Sequence, residues 1–311
     1  MLKFEKLKDT DYKLLKAFAQ KGFQESSFYC PASILMWNEC VNSYYYCSFE
    51  DSLLVMEAGE DHKERKRLLM PFSEKPLSPE KLADVLKRAG FTSFYYCPEN
   101  YFQGGMSEAE NLFRLYVQDG AADYIYRCED LALLKGSKYS KKRNLISQFE
   151  KNYLENGLVE TLVLNRTNIA DILKLSKEWK NQERADELMD IMECEFKAIE
   201  KALKNWEEFE LFGVSVYIDK KIAGFAVGSF LNNFTADLNF EKARKDIKGL
   251  YQFLDREFAR SLPAGYIFIN KEADMGKPGL AKAKSSYYPV KNPKSYILEL
   301  KQKSPALSRG F

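Results

Sequence analysis

A chain of 311 residues with 47 Lys and Arg, 45 Asp and Glu and a single His carries a formal charge of +2, so affinity for a polyanion must come from local clustering. A 45% hydrophobic and 14% aromatic content excludes a disordered chain, and no run of about 18 apolar residues spans a bilayer. One histidine, His62 in the charged run DHKERKR, and six cysteines without a CxxC pair leave neither a transition-metal site nor a Ser-His-Asp triad its parts.

The N-terminus MLKFEKLKDTDY lacks the apolar core of a signal peptide, which points to a cytoplasmic protein. The cysteines, several in aromatic runs such as YYYC and FYYC, read as buried reduced thiols rather than disulfides. Residues 2–7 suggest a short strand, 11–19 a helix with Leu14, Leu15 and Phe18 on one face, and 32–41 a helix after Pro31. Strands follow at 44–49, 53–57 and 67–72. Ser78 is an N-cap for a helix with Leu82, Val85, Leu86 and Ala89 as its apolar face, closed by Gly90. Next come a strand at 93–97, a helix at 107–115 and a strand at 124–127.

Residues 135–144, KGSKYSKKRN, place Lys138, Lys141, Lys142 and Arg143 beside Asn144 at a helix start. A helix N-terminus prefers acids, so a phosphate-bearing partner would offset these cations, whereas the plainer reading is a solvated basic surface. The second half reads as a strand at 160–164, a helix at 168–180 and a long helix at 185–206. Leu188, Met192, Phe196, Ile199, Leu203 and Trp206 follow its three- and four-residue spacing, as core positions do. Strands at 213–218 and 222–230 flank the hairpin turn Asp219-Lys220-Lys221, and a strand at 234–240 precedes a helix at 250–258.

The last stretch, YIFINKEADMGKPGLAKAKSSYYP at 266–289, begins as a buried strand over 266–269. It then turns polar at Asn270, Lys271, Glu272 and Asp274, breaks at Gly276, Pro278 and Gly279, and resumes as a helix at 280–287. A polar loop at the carboxyl end of a strand is where open α/β sheets bind ligands. With a final strand at 296–300, the order helix, strand, loop, helix, strand repeats one found roughly 170 residues earlier, which implies an internal duplication.

The order of elements in the second half resembles the GCN-five-related acyltransferase fold, in which the turn after the fourth strand cradles a pyrophosphate. Here that turn is residues 245–251, with Gly249 alone where the family usually has Gln or Arg and two glycines. KGSKYSKKRNLISQF, NFEKARKDIKGLYQFLDREFA and INKEADMGKPGLAKAKSSYYPV, in that order, resemble the C-terminal catalytic domain of bacterial phosphatidylglycerol lysyltransferases and their soluble relatives. The likeness runs from about Asp123 to the C-terminus, the first half matching as a companion domain. The membrane-spanning flippase region of the lysyltransferases has no counterpart in this sequence.

The resemblance implies an α+β fold with mixed sheets and two tandem GNAT-like acyltransferase domains, 1–130 and 159–311, joined by a basic connecting helix at 131–158. It also implies kinship with Fem-type transferases, which take an aminoacyl group from tRNA instead of CoA. The expected activity is transfer from aminoacyl-tRNA to an amine or hydroxyl on a small molecule or a lipid headgroup, the latter through peripheral membrane contact, with no metal and no bound cofactor. Glu272 or Asp274 would be the base or ammonium anchor, with Glu241 in reserve, and Asn239 and Asn270 would orient the substrate. Lys248, Gly249, Lys282 and Lys284 would meet phosphate or the oxyanion, with Tyr251, Gly276 and Gly279 lining the substrate. Lys138, Lys141, Lys142, Arg143 and Asn144 would meet tRNA. Two other readings stand beside this one: a CoA-dependent N-acyltransferase using acetyl-CoA or another acyl-CoA, and a non-catalytic RNA- or tRNA-binding module.

Overall fold

The computed structural model describes residues 2–40, 42–59, 66–102, 104–182 and 189–302; His62 and Leu188 lie outside them. The first half contributes β1 (Glu5–Lys6), α1 (Tyr12–Lys21), α2 (Pro31–Met36), β2 (Asn42–Phe49), β3 (Ser52–Gly59), β4 (Lys66–Leu69), α3 (Pro79–Ala89), β5 (Ser93–Pro98) and β6 (Phe113–Val117). Then follow β7 (Asp123–Arg127), α4 (Cys128–Leu133), α5 (Ser140–Phe149), β8 (Val159–Val163), α6 (Ile169–Gln182), α7 (Met189–Lys204), β9 (Phe212–Ile218) and β10 (Lys221–Asn232). The chain ends with β11 (Thr235–Ala243), α8 (Leu250–Ser261), β12 (Phe268–Ala273), α9 (Pro278–Ser285) and β13 (Ser295–Leu300).

Local signals explain several of these elements. The Ser78 hydroxyl accepts the Lys81 N–H at 3.3 Å to start α3, and Gly90 ends it at φ 77°. Asp219 and Lys220 both take positive φ, the two-residue turn whose twist matches an antiparallel hairpin.

Two mixed sheets result, ordered β1-β2-β3-β4-β5-β13-β6 and β7-β12-β11-β10-β9-β8. Each holds antiparallel strands and one parallel pair, β4 with β5 across α3 and β11 with β12 across α8. The strand after each parallel pair comes from the other half: β13 lies beside β5, and β7 beside β12. Strand 124–127, read with the first half, therefore belongs to the second sheet, and strand 296–300 to the first. The helix expected at 107–115 is a short 3-10 turn followed by β6, because Phe113–Val117 pairs with a partner near the other end of the chain, Leu300 to Tyr296. Side-chain spacing within a dozen residues carries no trace of such a partner.

One core runs through both halves, with Leu35 and Val55 packed in the same cluster as Ile172, Ile199, Phe225 and Phe240. The second lies on the opposite face of the second sheet, where Phe149 of α5 and Leu250, Phe253, Leu254 and Phe258 of α8 cover it. The second sheet is thus enclosed on both faces, one by the first half together with α6 and α7 and the other by α4, α5 and α8. Not all cysteines are reduced thiols: Cys40, after α2, and Cys194, in α7, form a disulfide with Cα atoms 5.4 Å apart across 154 residues. Cys30 and Cys97 are buried thiols, and Cys47 and Cys128 partly exposed ones.

Candidate active site

β11 and β12 pair over only three positions, Thr235 with Phe268, Ala236 with Ile269 and Asp237 with Asn270. Both strands are irregular just beyond. The β10–β11 register slips between Phe240 and Leu238, leaving Asn239 unopposed, and the β12–β7 register slips between Asn270 and Ala273. A bulge re-aims the side chains after it. Asp237 and Asn239 accordingly meet residues of the first half, whereas Glu241 meets α8. The strand expected to stop at 269 runs on to Ala273, so Asn270, Lys271 and Glu272 stand at the end of an interior strand, between β7 and β11, and not in a loop.

The first group of side chains lies between the halves. Asp123 of β7 accepts from the Ser27 N–H at 2.7 Å, the Ser27 hydroxyl at 2.8 Å and Asn270 Nδ2 at 3.1 Å. Asn239 Nδ2 donates to Asp237 Oδ2 at 3.1 Å and to Ser33 Oγ at 3.0 Å, and Cys30 Sγ lies 3.2 Å from Ser229 Oγ. The Ser33 hydroxyl in turn donates to Glu272 Oε1 at 3.3 Å. Glu272 sits at φ 58°, a conformation costly for a residue with a Cβ. Its N–H is held by Asn270 Oδ1 at 2.7 Å, and Lys284 Nζ donates to the carbonyls of Lys271, Glu272 and Ala273 at 2.6, 3.0 and 2.7 Å. All three ammonium protons of Lys284 are thereby engaged, and the expectation that it meets a phosphate gives way to a positioning role in this conformation.

Burial pushes the Glu272 carboxyl up to about 7 against the opposing pull of the Lys284 ammonium. Burial and the neighbouring Glu272 and Asp123 raise Asp237 well above the carboxylate range, and burial raises Asp123. Burial lowers Lys284.

The second group lies on the α8 side of the same strand. Lys271 Nζ donates to Glu241 Oε2 at 3.0 Å and pairs with Asp255 of α8, tying both diverging strands to one helix. Burial, then Asp255, raises Glu241 to about 7. Lys142 of α5 turns inward here, its Nζ 3.7 Å from the Tyr287 ring centre and 2.6 Å from Ser286 Oγ.

Other residues singled out from the sequence lie apart. Asp274 stands at the rim, accepting from Tyr124 Oη at 2.7 Å and the Gly276 N–H at 2.8 Å. Gly279 and Lys282 are exposed on α9, and Lys248 is exposed before α8. Gly249, at φ 86°, is pressed against α5: a Cβ there would overlap the Leu145 carbonyl oxygen and come within 3.0 Å of Phe149 Cβ. Tyr251 is partly buried beside Trp179 and Ala243. In the basic segment Arg143 donates to the carbonyls of Leu134 and Gly136 at 2.5 and 2.7 Å, and Lys138 lies 3.9 Å from Asp130. Lys141 and Asn144 face solvent. Among the described residues no three His, Cys, Asp or Glu side chains converge as a metal site.

Sequence reading missed Asp123, Asp237, Ser33 and Asp255, and it named Lys271 in the polar stretch without giving it a role. A usable signal was present for two of them, since Asp123 and Asp237 each interrupt a strand of mostly apolar residues, AADYIY and TADLNF. The first sheet carries a matching bulge between β5 and β13, where Tyr96 has φ 56° in the place Glu272 takes in the second. The nearby acid, Glu57, is satisfied by Arg67 at 2.9 Å, Tyr96 Oη at 3.1 Å and Tyr44 Oη at 3.3 Å, a closed network unlike the second-half site.

A family model described as phosphatidylglycerol lysyltransferase, C-terminal, matches residues 27–298. The chain belongs to that family. Among solved structures, this lysyltransferase-family chain is similar to a conserved protein of unknown function from Bacteroides thetaiotaomicron, 28% identical over 97% of this chain and 100% of the other, with a TM-score of 0.85. It also resembles the C-terminal domain of a candidate lysylphosphatidylglycerol synthetase from Agrobacterium fabrum, 14% identical, 94% and 92% covered, TM-score 0.60. A tandem GNAT protein of the clavulanic acid biosynthesis pathway shares the fold at 8% identity, 98% and 100% covered, TM-score 0.50. An uncharacterised protein of Mycoplasmoides gallisepticum is 23% identical over 185 residues, 59% of this chain and 58% of its own length. The family member described here thus has a mixed α+β, tandem GNAT-like acyltransferase fold, and it spans little more than half the length of the curated relative it matches. Among its described residues no helix is long and apolar enough to cross a membrane.

Proposed function

We propose that the chain moves an aminoacyl group from aminoacyl-tRNA to an amine or hydroxyl acceptor, with Glu272 as the general base. The observation that carries this reading is the inter-half group of acids. Asp237 Oδ1 and Asn239 Oδ1 are buried acceptors without a donor, in residues 0% and 8% exposed, and Ser33 links Asn239 to the Glu272 carboxyl, which is poised near neutrality. Buried acceptors left unpaired cost free energy, and an ammonium would satisfy them. Such a group is present on every aminoacyl ester and absent from acetyl-CoA.

Glu272 takes the proton of the acceptor as its nitrogen or oxygen attacks the ester carbonyl. Collapse of the tetrahedral intermediate breaks the bond to the terminal ribose oxygen of tRNA, which recovers that proton from Glu272. Asp237 and Asn239 hold the ammonium, and Asn270, Ser33 and Lys284 hold Glu272. The Lys271 pairing with Glu241 and Asp255 ties the two diverging strands to α8, so that the reacting groups are prealigned.

The CoA alternative fits less well, because α5 packs directly on Gly249 in the turn where a pyrophosphate would lie. A module that merely binds RNA has no use for the raised Glu272 carboxyl. Lys141 and Lys138 remain exposed for phosphate contact, and the acceptor is a small molecule or a lipid headgroup. To test the proposal, the protein is incubated with a pool of charged tRNAs and the residual ester is measured for each amino acid. Loss of one or a few esters, abolished in Glu272→Gln, is expected; consumption of acetyl-CoA with every ester intact would overturn it.

A further inference from the structure

The Cys40–Cys194 disulfide joins two segments that border the candidate site. Cys40 follows α2 by four residues, and α2 carries Ser33, which donates to Glu272 and accepts from Asn239. Cys194 is in α7, where its neighbour Glu195 pairs with Lys242 at 2.8 Å, one residue after Glu241 on β11. The bond therefore joins a segment that shapes one side of the site to a helix that braces the other. Further along α7, Lys201 pairs with Asp9 at 3.1 Å and donates to the Asn38 carbonyl at 3.0 Å, and Ala198, Ile199, Ala202 and Leu203 pack in the shared core, so the disulfide adds a covalent tie at the Cys194 end of a contact that is otherwise apolar and polar packing.

Both cysteines are partly exposed, unlike Cys30 and Cys97, and Cys40 lines an open groove of about 1180 Å³ whose floor includes Met36, Ile169, Leu173 and Trp206. The groove brings an incoming thiolate to Cys40, and access together with thiolate character governs exchange.

We propose that Cys40 and Cys194 form a reversible thiol–disulfide exchange site that sets how firmly α2 is held against α7, and through Ser33 how firmly Glu272 is positioned. A dithiol reductant supplies the chemistry. Its first thiolate attacks one sulfur of the bond and displaces the other cysteine as a thiolate, which takes up a proton. Its second thiol then resolves the mixed disulfide, so that the protein gains two electrons and two protons while the dithiol becomes a disulfide.

The test uses the full chain and needs no turnover, so it is independent of the proposed activity. Protein purified without reductant is alkylated with iodoacetamide under denaturing conditions and weighed by intact mass. Hydrogen exchange and Tm are then measured before and after dithiothreitol. Four of the six cysteines should alkylate at once and the remaining two only after reduction. Reduction should lower Tm by roughly 5–10 °C, since the bond closes a long loop. It should also speed exchange in peptides covering 30–36 and 189–204 by roughly tenfold, while α3 is unchanged. The Cys40→Ser/Cys194→Ser double variant should match the reduced protein; if it does not fold, reduced wild type gives the same comparison. Immediate alkylation of all six cysteines would overturn the proposal. So would a fall in Tm with no change of exchange in 30–36, which would leave only a structural staple.

Discussion

Replacing Glu272 by Gln separates catalysis from stability in opposite directions. The wild-type carboxyl stays protonated in the folded chain up to about 7, whereas in the unfolded chain it ionises near its ordinary 4.5. The stability of the protonated form is thus fully present below 4.5 and is lost as pH rises through 7. At about 1.4 kcal/mol for each tenfold change in proton affinity the loss has a ceiling of ~3 kcal/mol, and partial solvation together with coupling to Lys284 brings it to roughly 1–3. The substituted amide does not titrate and can still accept the Ser33 hydroxyl. Thermal unfolding should therefore give equal Tm values for variant and wild type near pH 4.5, and a variant higher by roughly 2–5 °C at pH 8. Transfer from the aminoacyl ester should meanwhile fall roughly 100-fold or more. The control Glu99→Gln, an exposed residue of the first half, should leave turnover unchanged. A Glu272→Gln protein that is less stable than wild type at pH 8, or that retains full turnover, would refute the reasoning.

Lys284→Met removes the donor to three carbonyls and should cost about 2–4 kcal/mol in urea unfolding. Without the ammonium that holds Glu272 down, the acidic limb of kcat/KM against pH should move upward; an unmoved limb would assign Lys284 a purely structural role. Lys271→Met leaves Glu241 and Asp255 facing each other and should cost about 3–5 kcal/mol, part of it recovered by adding Glu241→Gln, measured by the same unfolding. Lys141→Ala should flatten the salt dependence of tRNA binding by roughly 0.7–0.9 in log–log slope without loss of stability. Arg143→Ala should instead destabilise, because its guanidinium holds two carbonyls.

The sequence by itself determined the elements whose causes are local. Ser78, Pro79 and Gly90 bound α3, and Asp219-Lys220 closes the β9–β10 hairpin. The order of strands and helices carried enough pattern to indicate two acyltransferase-like halves, and the run from Asn270 to Glu272 was legible as polar chemistry after an apolar strand. Only the tertiary structure decided what those residues face. The exchange of β7 and β13 between the sheets, the strand at 113–117 and the Cys40–Cys194 bond all depend on partners more than 140 residues away. No side-chain period records such distances. The site itself is the clearest case. Asp123, Asp237 and Ser33 come from three separate segments and meet Glu272 only because the second sheet packs its bulged strands against the first half. That burial, which no local window contains, turns an ordinary surface-like glutamate into a carboxyl poised near neutrality.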